Sequence, residues 1–188
     1  MIEIRTHGRG GQGAVIASKV LANACFKEGK FVQAFPAFGV ERRGAPVVAF
    51  TRLDDAPIRH RCEIYEPDHL IVLDHALTET IDVTSGLAAG GWIVINTTAG
   101  PQDFPYTDRF QVATVDAAEI AWRHRLGSRS TPIVNTAILG ALARATGLVG
   151  LDAVHEAIRE FVPLKVDANL QAATDAYDEV RLTESAPI

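Results

Sequence analysis

Hydrophobic and polar residues alternate at the start of the chain, and apolar residues then recur at helical spacing. Residues 2–6 alternate isoleucine with charged residues, which predicts a strand, and residues 14–26 place Val20 and Ala24 on one face of a helix. Gly29 is a suitable stop for that helix. The first unit is therefore predicted to be a strand, a glycine-rich turn and a helix.

Continuous apolar runs in the middle of the chain are typical of strands that are buried on both faces. Residues 69–73 and 92–96 have this character, and residues 76–87 between them are predicted to form a helical crossover. This arrangement indicates a parallel sheet. Residues 36–44 form a loop that is too long for a tight hairpin. The remaining elements predicted here are strands at 31–35, 46–53 and 111–115 and a helix at 117–125.

The last part of the chain has a helical pattern throughout. Pro132 favours a helix start, and the apolar spacing after it predicts a helix that stops at Gly147. Residues 151–161 and 166–180 carry the apolar stripes of two further amphipathic helices. Strands alternating with helices, followed by a helical C-terminal third, predict a single α/β domain over residues 1–188. We expect a Rossmann-like layered fold with a mostly parallel sheet.

Composition narrows the class of protein. A chain of 188 residues can bury a full core, and its net charge of −5 argues against a dedicated nucleic-acid binder. Cys25 and Cys62 lie far apart and form no Cys-x-x-Cys pair, so no redox or iron–sulfur motif is predicted. No apolar run is long enough for a membrane span, and no signal-peptide core is recognised, so a cytoplasmic protein is expected.

The turn after the first strand contains a glycine motif. Gly8, Gly10 and Gly13 satisfy the spacing G-x-G-x-x-G between a predicted strand and a predicted helix. Glycines let the backbone approach an anion closely, and the N-terminus of a helix presents free N–H groups. Gln12 could offer its amide to a ligand or bond the turn itself. We interpret the motif as a phosphate-tolerant or cofactor-facing turn, with a purely structural turn as the alternative.

Two common functions of such a motif lack their other residues. A dinucleotide site needs an acidic residue at the end of the second strand, and residues 31–35 contain none. A P-loop needs Lys and Ser or Thr where Ala14 and Val15 stand, so no ATPase is predicted.

Other polar residues at the predicted strand and helix ends are weaker candidates. Asp74 and Asn96 follow apolar strands, where ligands gather in open α/β sheets, but surface placement is the favoured interpretation. Asn135 is predicted within the first turn of the helix that begins at Pro132. Its amide needs a partner, and capping or a bond to a neighbouring loop is favoured over a ligand. The six histidines form no recognisable metal-ligand pair.

Four stretches of the chain resemble the gamma subunit, or third domain, of pyruvate:ferredoxin and related 2-oxoacid:acceptor oxidoreductases. They are residues 8–13 (G-R-G-G-Q-G), 38–44 (F-G-V-E-R-R-G), 54–58 (D-D-A-P-I) and 132–135 (P-I-V-N) with 139–141 (L-G-A). They stand in the family's order and span most of the chain. Arg43 is followed by Gly44 and Ala45, where the family usually has two small residues, often both glycine.

The resemblance implies a subunit without a complete active site. Alpha and beta subunits would hold thiamine diphosphate and magnesium, a ferredoxin-like delta subunit would carry 4Fe–4S clusters, and coenzyme A would accept the acyl group. Electrons would pass to ferredoxin, or to NAD through an added flavoprotein subunit with FAD. The 2-oxoacid itself stays open among pyruvate, 2-oxoglutarate, branched-chain oxoacids, indolepyruvate and phenylglyoxylate.

The residues expected to face a cofactor of that complex are Gly8, Gly10, Gly11, Gln12, Gly13, Arg43 and Asn135. For Arg43 the hypothesis is a guanidinium, flanked by Gly39 and Gly44, that pairs with a carboxylate or cofactor phosphate at a subunit junction. The alternative is a solvated arginine pair. Two other functions stay open: a free-standing NAD(P)-dependent reductase and a nucleotide-binding regulatory module.

Overall fold

The structure is a computed structural model that describes residues 1–37 and 44–183. Its strands are β1 (Ile2–Arg9), β2 (Phe31–Pro36), β3 (Pro46–Asp54), β4 (His69–Val72), β5 (Trp92–Asn96), β6 (Gln111–Val115), β7 (Gly127–Ser128), β8 (Thr131–Pro132) and β9 (Arg181–Leu182). Its helices are α1 (Ala14–Lys27), α2 (Leu77–Thr80), α3 (Ala117–Arg123), α4 (Ala137–Thr146), α5 (Leu151–Phe161) and α6 (Val166–Glu179), with a 3₁₀ turn at Pro101–Asp103.

One large sheet has the strand order β2-β3-β1-β4-β5-β6-β9, and β7 and β8 form a separate short hairpin. Strand β1 pairs in parallel with β4, β4 with β5, and β5 with β6. Strand β3 lies antiparallel between β1 and β2, and β9 runs antiparallel to β6. Strands β1, β2, β4, β5 and β6 therefore run in the same direction, which confirms the predicted mostly parallel sheet. The carboxyl ends of β1, β4 and β5 meet at one edge.

Alternation along the strands directs side chains into two layers. Ile4, Ile71 and Val94 face the layer that contains α1 and the C-terminal helices α4 to α6. Leu70 and Ile93 face the opposite layer, where α2 and irregular segments cover them. The helical C-terminal third predicted from the sequence is confirmed, and most of its apolar surface is buried against the sheet. No helix in the described residues is long and apolar enough to cross a bilayer.

The crossover helix predicted over residues 76–87 is wrong beyond its first turn, because only Leu77–Thr80 is helical. The Asp82 carboxylate accepts hydrogen bonds from the N–H and the hydroxyl of Thr84, at 3.0 and 2.7 Å. Such local bonds stabilise a turn at the expense of a helix. The segment still buries Val83 and Leu87 on the sheet, so its apolar spacing reflects packing by turns rather than by a helix.

The helix start predicted at Pro132 is also wrong. Pro132 ends the β7–β8 hairpin, and α4 begins at Ala137. The Ser128 hydroxyl bonds the Thr131 N–H and hydroxyl across this hairpin, at 3.1 and 2.8 Å. Gly127, with φ +82°, supplies the left-handed backbone conformation that the turn needs. The local turn bonds therefore determine the structure around Pro132, against the helical apolar pattern.

Candidate functional site

The glycine motif lies at the carboxyl end of β1 and leads into α1. Gly11 and Gly13 have φ values of +100° and +84°, a region that residues with a Cβ rarely adopt. The first helical hydrogen bond runs from the Ala17 N–H to the Gly13 carbonyl, at 2.9 Å. The N–H groups of the first turn of α1 therefore have no partner within the helix. We call residues 8–13 the glycine loop.

Gly8 and Gly10 have different roles from Gly11 and Gly13. A Cβ on Gly8 would lie 3.1 Å from Leu73 Cδ1 and 3.3 Å from Ala14 Cβ, so Gly8 allows β1 and α1 to pack closely. The Gly10 N–H donates to the Ala45 carbonyl at 2.9 Å, and the Gly44 N–H donates to the Gly10 carbonyl at 3.1 Å. The glycine loop is thus bonded to the residues that precede β3. Arg43, the next residue upstream, lies outside the described residues, as do Gly39 and the rest of 38–43.

Asn135 contacts the glycine loop, although its predicted place in a helix is wrong. It precedes α4 and is 4 % exposed. A Cβ added to Gly13 would lie 2.6 Å from Asn135 Nδ2, so the two residues are packed against each other. The Asn135 Oδ1 atom is buried and has no hydrogen-bond partner among the described residues. A buried acceptor without a donor is costly, so this oxygen is an unsatisfied polar atom beside the glycine loop.

Gln12 bonds the turn, together with Arg9 and with Asp74, which the sequence indicated only as a weaker candidate at a strand end. Its Oε1 accepts from the Arg9 N–H at 2.8 Å, and its Nε2 lies 3.5 Å from Asp74 Oδ2. The Arg9 Nε donates to the same Asp74 oxygen at 2.7 Å. Arg9 ends β1, and Asp74 lies two residues after β4, the adjacent parallel strand. This position near the strand ends was the signal that could have paired them. Asn96, by contrast, uses its amide on the Leu73 carbonyl and the Ala118 N–H.

Two depressions meet at Ile16 on the first turn of α1. One, of about 270 Å³, is lined by Arg9 and three glycines of the glycine loop, by the first residues of α1 and by Val47. The other, of about 330 Å³, is lined mainly by apolar side chains and also by Asn135. Its exposed apolar members are Ile16, Ile133, Phe161 and Leu164, and Leu164 is 75 % exposed. We call the second depression the apolar groove.

The rim of the apolar groove has a fixed backbone. Arg125 and Lys165 are the two described non-glycine residues with positive φ, at +57° and +52°, and the Lys165 ammonium donates to the Arg125 carbonyl. Asn169 Nδ2 donates to the carbonyls of Leu164 and Lys165, at 3.2 and 2.9 Å. Left-handed residues outside glycine persist where the surrounding contacts hold them, and they cluster at binding sites. The backbone at this end of the groove is therefore held by side-chain hydrogen bonds.

The histidine next to the glycine loop is uncharged at neutral pH. His7 is 5 % exposed, and burial together with the nearby Arg5 guanidinium lowers its pKa to about 4. Its Nε2 accepts a hydrogen bond from Arg5 Nε at 3.0 Å. His7 therefore supplies no positive charge to an anion at the loop, whereas Arg9 lines the first depression and carries a full charge.

The described residues contain no group of three or more His, Cys, Asp or Glu side chains that is arranged to hold a metal ion. The two cysteines are separate. Cys25 is buried, and burial, with Glu28 nearby, raises the pKa of its thiol to about 12. Cys62 is exposed. The polar groups that the site presents are backbone N–H groups, the Arg9 guanidinium and the Asn135 amide.

Comparison with known proteins establishes the family. The family model for pyruvate ferredoxin/flavodoxin oxidoreductase matches residues 3–179. The chain belongs to this family. It is 53 % identical over 188 residues to the pyruvate/ketoisovalerate oxidoreductases common subunit gamma of Thermococcus kodakarensis, covering 98 % of this chain and 100 % of the relative. The chain is accordingly a gamma subunit of a pyruvate or 2-oxoacid ferredoxin oxidoreductase, which confirms the resemblance found in the sequence.

Solved structures agree with this assignment. The pyruvate oxidoreductase subunit PORC of Thermotoga maritima superposes with a TM-score of 0.81 at 38 % identity, over 97 % of this chain and 98 % of that one. The 2-oxoglutarate:ferredoxin oxidoreductase of Magnetococcus marinus, a structure with 2-oxoglutarate, coenzyme A and succinyl-CoA bound, gives a TM-score of 0.68 at 20 % identity. It matches 94 % of this chain and 30 % of that chain, and it shows the shared fold alone.

Proposed function

We propose that this gamma subunit completes the coenzyme A site of a thiamine-diphosphate-dependent complex that oxidatively decarboxylates a 2-oxoacid to an acyl-CoA. Electrons leave through iron–sulfur clusters to ferredoxin, or to NAD through a flavoprotein. The catalytic residues lie on other chains. The observation that carries the proposal is the buried Oδ1 of Asn135. It has no hydrogen-bond partner among the described residues and lies where the glycine loop and the apolar groove meet.

Coenzyme A matches the two depressions in chemical character. Its diphosphate suits the free N–H groups at the start of α1 and the glycines that leave the backbone accessible. Its pantetheine arm is an alkyl chain with amide N–H donors, which suits an apolar groove with one unpaired amide oxygen on Asn135. When bound, coenzyme A supplies the thiol that accepts the acyl group. The residues of this chain bind and orient it.

Thiamine diphosphate fits this chain less well, and we assign it to the alpha and beta subunits. Its diphosphate is held through magnesium, which prefers carboxylate and carbonyl oxygen ligands. Asp74, the carboxylate at the glycine loop, already bonds Arg9 and the Ala76 N–H. The ferredoxin-like delta subunit and a flavoprotein would hold the redox centres. Because coenzyme A and ferredoxin are cytoplasmic molecules, we place the complex in the cytoplasm.

A free-standing dinucleotide-dependent reductase is less well supported. In dinucleotide-binding folds the second strand lies beside the first and presents an acidic residue to the ribose. Here β3 separates β2 from β1, and it runs antiparallel to both. Residues 31–36 also carry no carboxylate. Neither the strand order nor the residues of β2 therefore provide the ribose-binding position of a dinucleotide site.

Substitution of Asn135 in the assembled complex tests the proposal. We expect Asn135→Ala to raise the KM for coenzyme A by about tenfold and to leave kcat within twofold, because one amide hydrogen bond is lost. Asn23→Ala is a matched control, since Asn23 Oδ1 is also buried, accepts no bond from any residue in 1–37 or 44–183, and lies in α1, away from the loop. An unchanged KM for coenzyme A in a correctly assembled Asn135→Ala complex would contradict the proposal.

A further inference from the structure

A buried arginine lies near the start of β1, at the opposite end of that strand from the glycine loop. Arg52 in β3 is 1 % exposed and is the register partner of Glu3 in β1. Its Nε donates to Glu3 Oε1 at 2.5 Å, and its Nη2 donates to Cys62 Sγ at 3.7 Å and to the Glu63 carbonyl at 3.4 Å. The Arg52 Nη1 atom is also buried, and it bonds no acceptor in residues 1–37 or 44–183.

This guanidinium is poorly satisfied for a buried charge. Glu3 bonds only its Nε, and the Phe35 ring, 5.3 Å from Arg52 Cζ, attracts the cation but offers no oxygen. A sulfur atom is a weak hydrogen-bond acceptor, so Cys62 adds little. A buried donor without an acceptor is costly, and an arginine fork is suited to an anion with two oxygens. The position of Cys62 is therefore one where an added oxygen would gain hydrogen bonds.

The segment that carries Cys62 is fixed on the sheet, although the cysteine itself is exposed. The Gln33 Nε2 atom donates to the Ile58 carbonyl at 3.2 Å, and Ile64 is 2 % exposed. The sulfur between these two anchors is thus open to small solutes and in contact with the buried guanidinium. Cys25 lacks both properties, because it is buried in the core and burial raises the pKa of its thiol to about 12.

We propose that Cys62 is a site of reversible oxidation to a sulfenic acid by hydroperoxides, and that Arg52 binds the added oxygen. The sulfur forms a bond to one peroxide oxygen, the O–O bond breaks, and the leaving hydroxide takes the thiol proton to become water. The sulfur loses an electron pair, and the peroxide gains it. One thiol then displaces water to give a mixed disulfide, and a second thiol restores Cys62 and leaves as a disulfide. Cys62 lies away from the glycine loop, so this modification goes beyond the proposed function.

Treatment of the assembled complex with hydrogen peroxide tests the site. Dimedone traps sulfenic acids, and mass spectrometry of the peptides gives the rate of labelling at each cysteine. We expect Cys62 to be labelled at least about tenfold faster than Cys25, because the exposed thiol is the one that peroxide reaches. Dithiothreitol added before dimedone should abolish the label. Equal labelling of the two cysteines, or a label that dithiothreitol does not prevent, would overturn the proposed site.

The role of Arg52 is tested in a Glu3→Gln background, so that its removal leaves no carboxylate without a partner. We expect Glu3→Gln/Arg52→Gln to be labelled at Cys62 about five- to tenfold more slowly than Glu3→Gln, through loss of the charge-assisted bonds to the added oxygen. Arg61→Gln is the matched control, since Arg61 is exposed and adjacent to Cys62 in the chain, and it should stay within twofold of the wild type. Equal rates with and without Arg52 would remove Arg52 from the proposal.

A second measurement needs no change at Arg52. Cys62→Asp places two negatively charged oxygens near the guanidinium, and Cys62→Asn has the same size without the charge. We expect the full chain with Cys62→Asp to melt about 3 °C above the chain with Cys62→Asn, and this difference to vanish in Glu3→Gln/Arg52→Gln. A Cys62→Asn chain that melts as high as Cys62→Asp would show that Arg52 does not bind an anion at this position.

Discussion

Gly140 in α4 and Gly11 in the glycine loop lack a side chain for opposite reasons. A Cβ on Gly140 would overlap the carbonyl oxygen of Ala173 in α6, so this glycine allows two helices to touch. A Cβ on Gly11 would meet nothing within 4 Å, but the residue has φ +100°. At Gly140 the backbone of α6 occupies the position that a Cβ would take, whereas at Gly11 that position is empty. Open space beside a backbone without a side chain is accessible to a ligand.

The surroundings of the two glycines differ in the same way. The α4 contact with α6 is built from buried aliphatic residues, among them Leu139, Ala172 and Ala176, whose packing does not depend on charge. The end of β1 is built from the Arg5–His7 and Arg9–Asp74 contacts. We therefore expect the helical layer to respond to changes in volume and the β1 end to respond to changes in charge and backbone conformation.

The largest expected effect comes from Gly140→Val. Insertion of three carbon atoms against the α6 backbone forces the helices apart, and we expect the free energy of unfolding to fall by more than about 3 kcal/mol. Urea unfolding followed by circular dichroism measures this. A loss below about 1 kcal/mol would show that α4 and α6 can move apart at little cost. It would contradict the expectation that the helical layer is the region sensitive to volume.

A pH change should destabilise the β1 end through His7. Its folded pKa of about 4 lies below the value near 6.5 expected in the unfolded chain, so the unfolded chain binds more protons between these values. The contribution of His7 is fully present above about pH 6.5 and is lost as the pH falls toward 4.

Because this contribution is lost, we expect the free energy of unfolding to be about 2 kcal/mol lower at pH 5 than at pH 8. The measurement is urea unfolding of the wild type and of His7→Gln at both pH values, because the difference between them cancels the other titrating groups. Identical pH dependence in the two proteins would show that His7 is not buried in its neutral form.

The smallest expected effect is that of Gly11→Ala. The added methyl group has room, so only the left-handed backbone opposes it, at about 1 kcal/mol. Gly13→Ala should cost more, because it meets the Asn135 amide as well. The double variant Gly13→Ala/Asn135→Ala should recover the excess. If Gly11→Ala and Gly13→Ala were equally costly in urea unfolding, contact with Asn135 would not matter.

The sequence predicted what depends on local pattern. The apolar runs at β4 and β5 identified the buried parallel strands, and a strand, a glycine motif and a helix in succession identified the loop. The contact of Asn135 with Gly13 could not be predicted, since the residues lie far apart in the chain and only the packing of α4 brings them together. The Arg9–Asp74 pair, 65 residues apart, depends on strand order in the same way.

The wrong predictions have a shared physical cause. Residues 76–87 and the stretch from Pro132 to Asn135 have helical apolar spacing. In the first, Asp82 bonds Thr84 and stabilises a turn, and just before the second, Ser128 bonds Thr131 in the hairpin that Pro132 ends. Apolar spacing records which side chains are buried. It does not record whether a helix or a series of turns buries them, and that choice depends on bonds between neighbouring residues.

The two backbone hydrogen bonds between Gly10 and residues 44–45 have a consequence for changes in chain length. These bonds join the residue that follows β1 to the two residues that precede β3. We therefore expect that a residue inserted within 38–43 leaves these two bonds intact, so that the turn after β1 keeps its position against the start of β3.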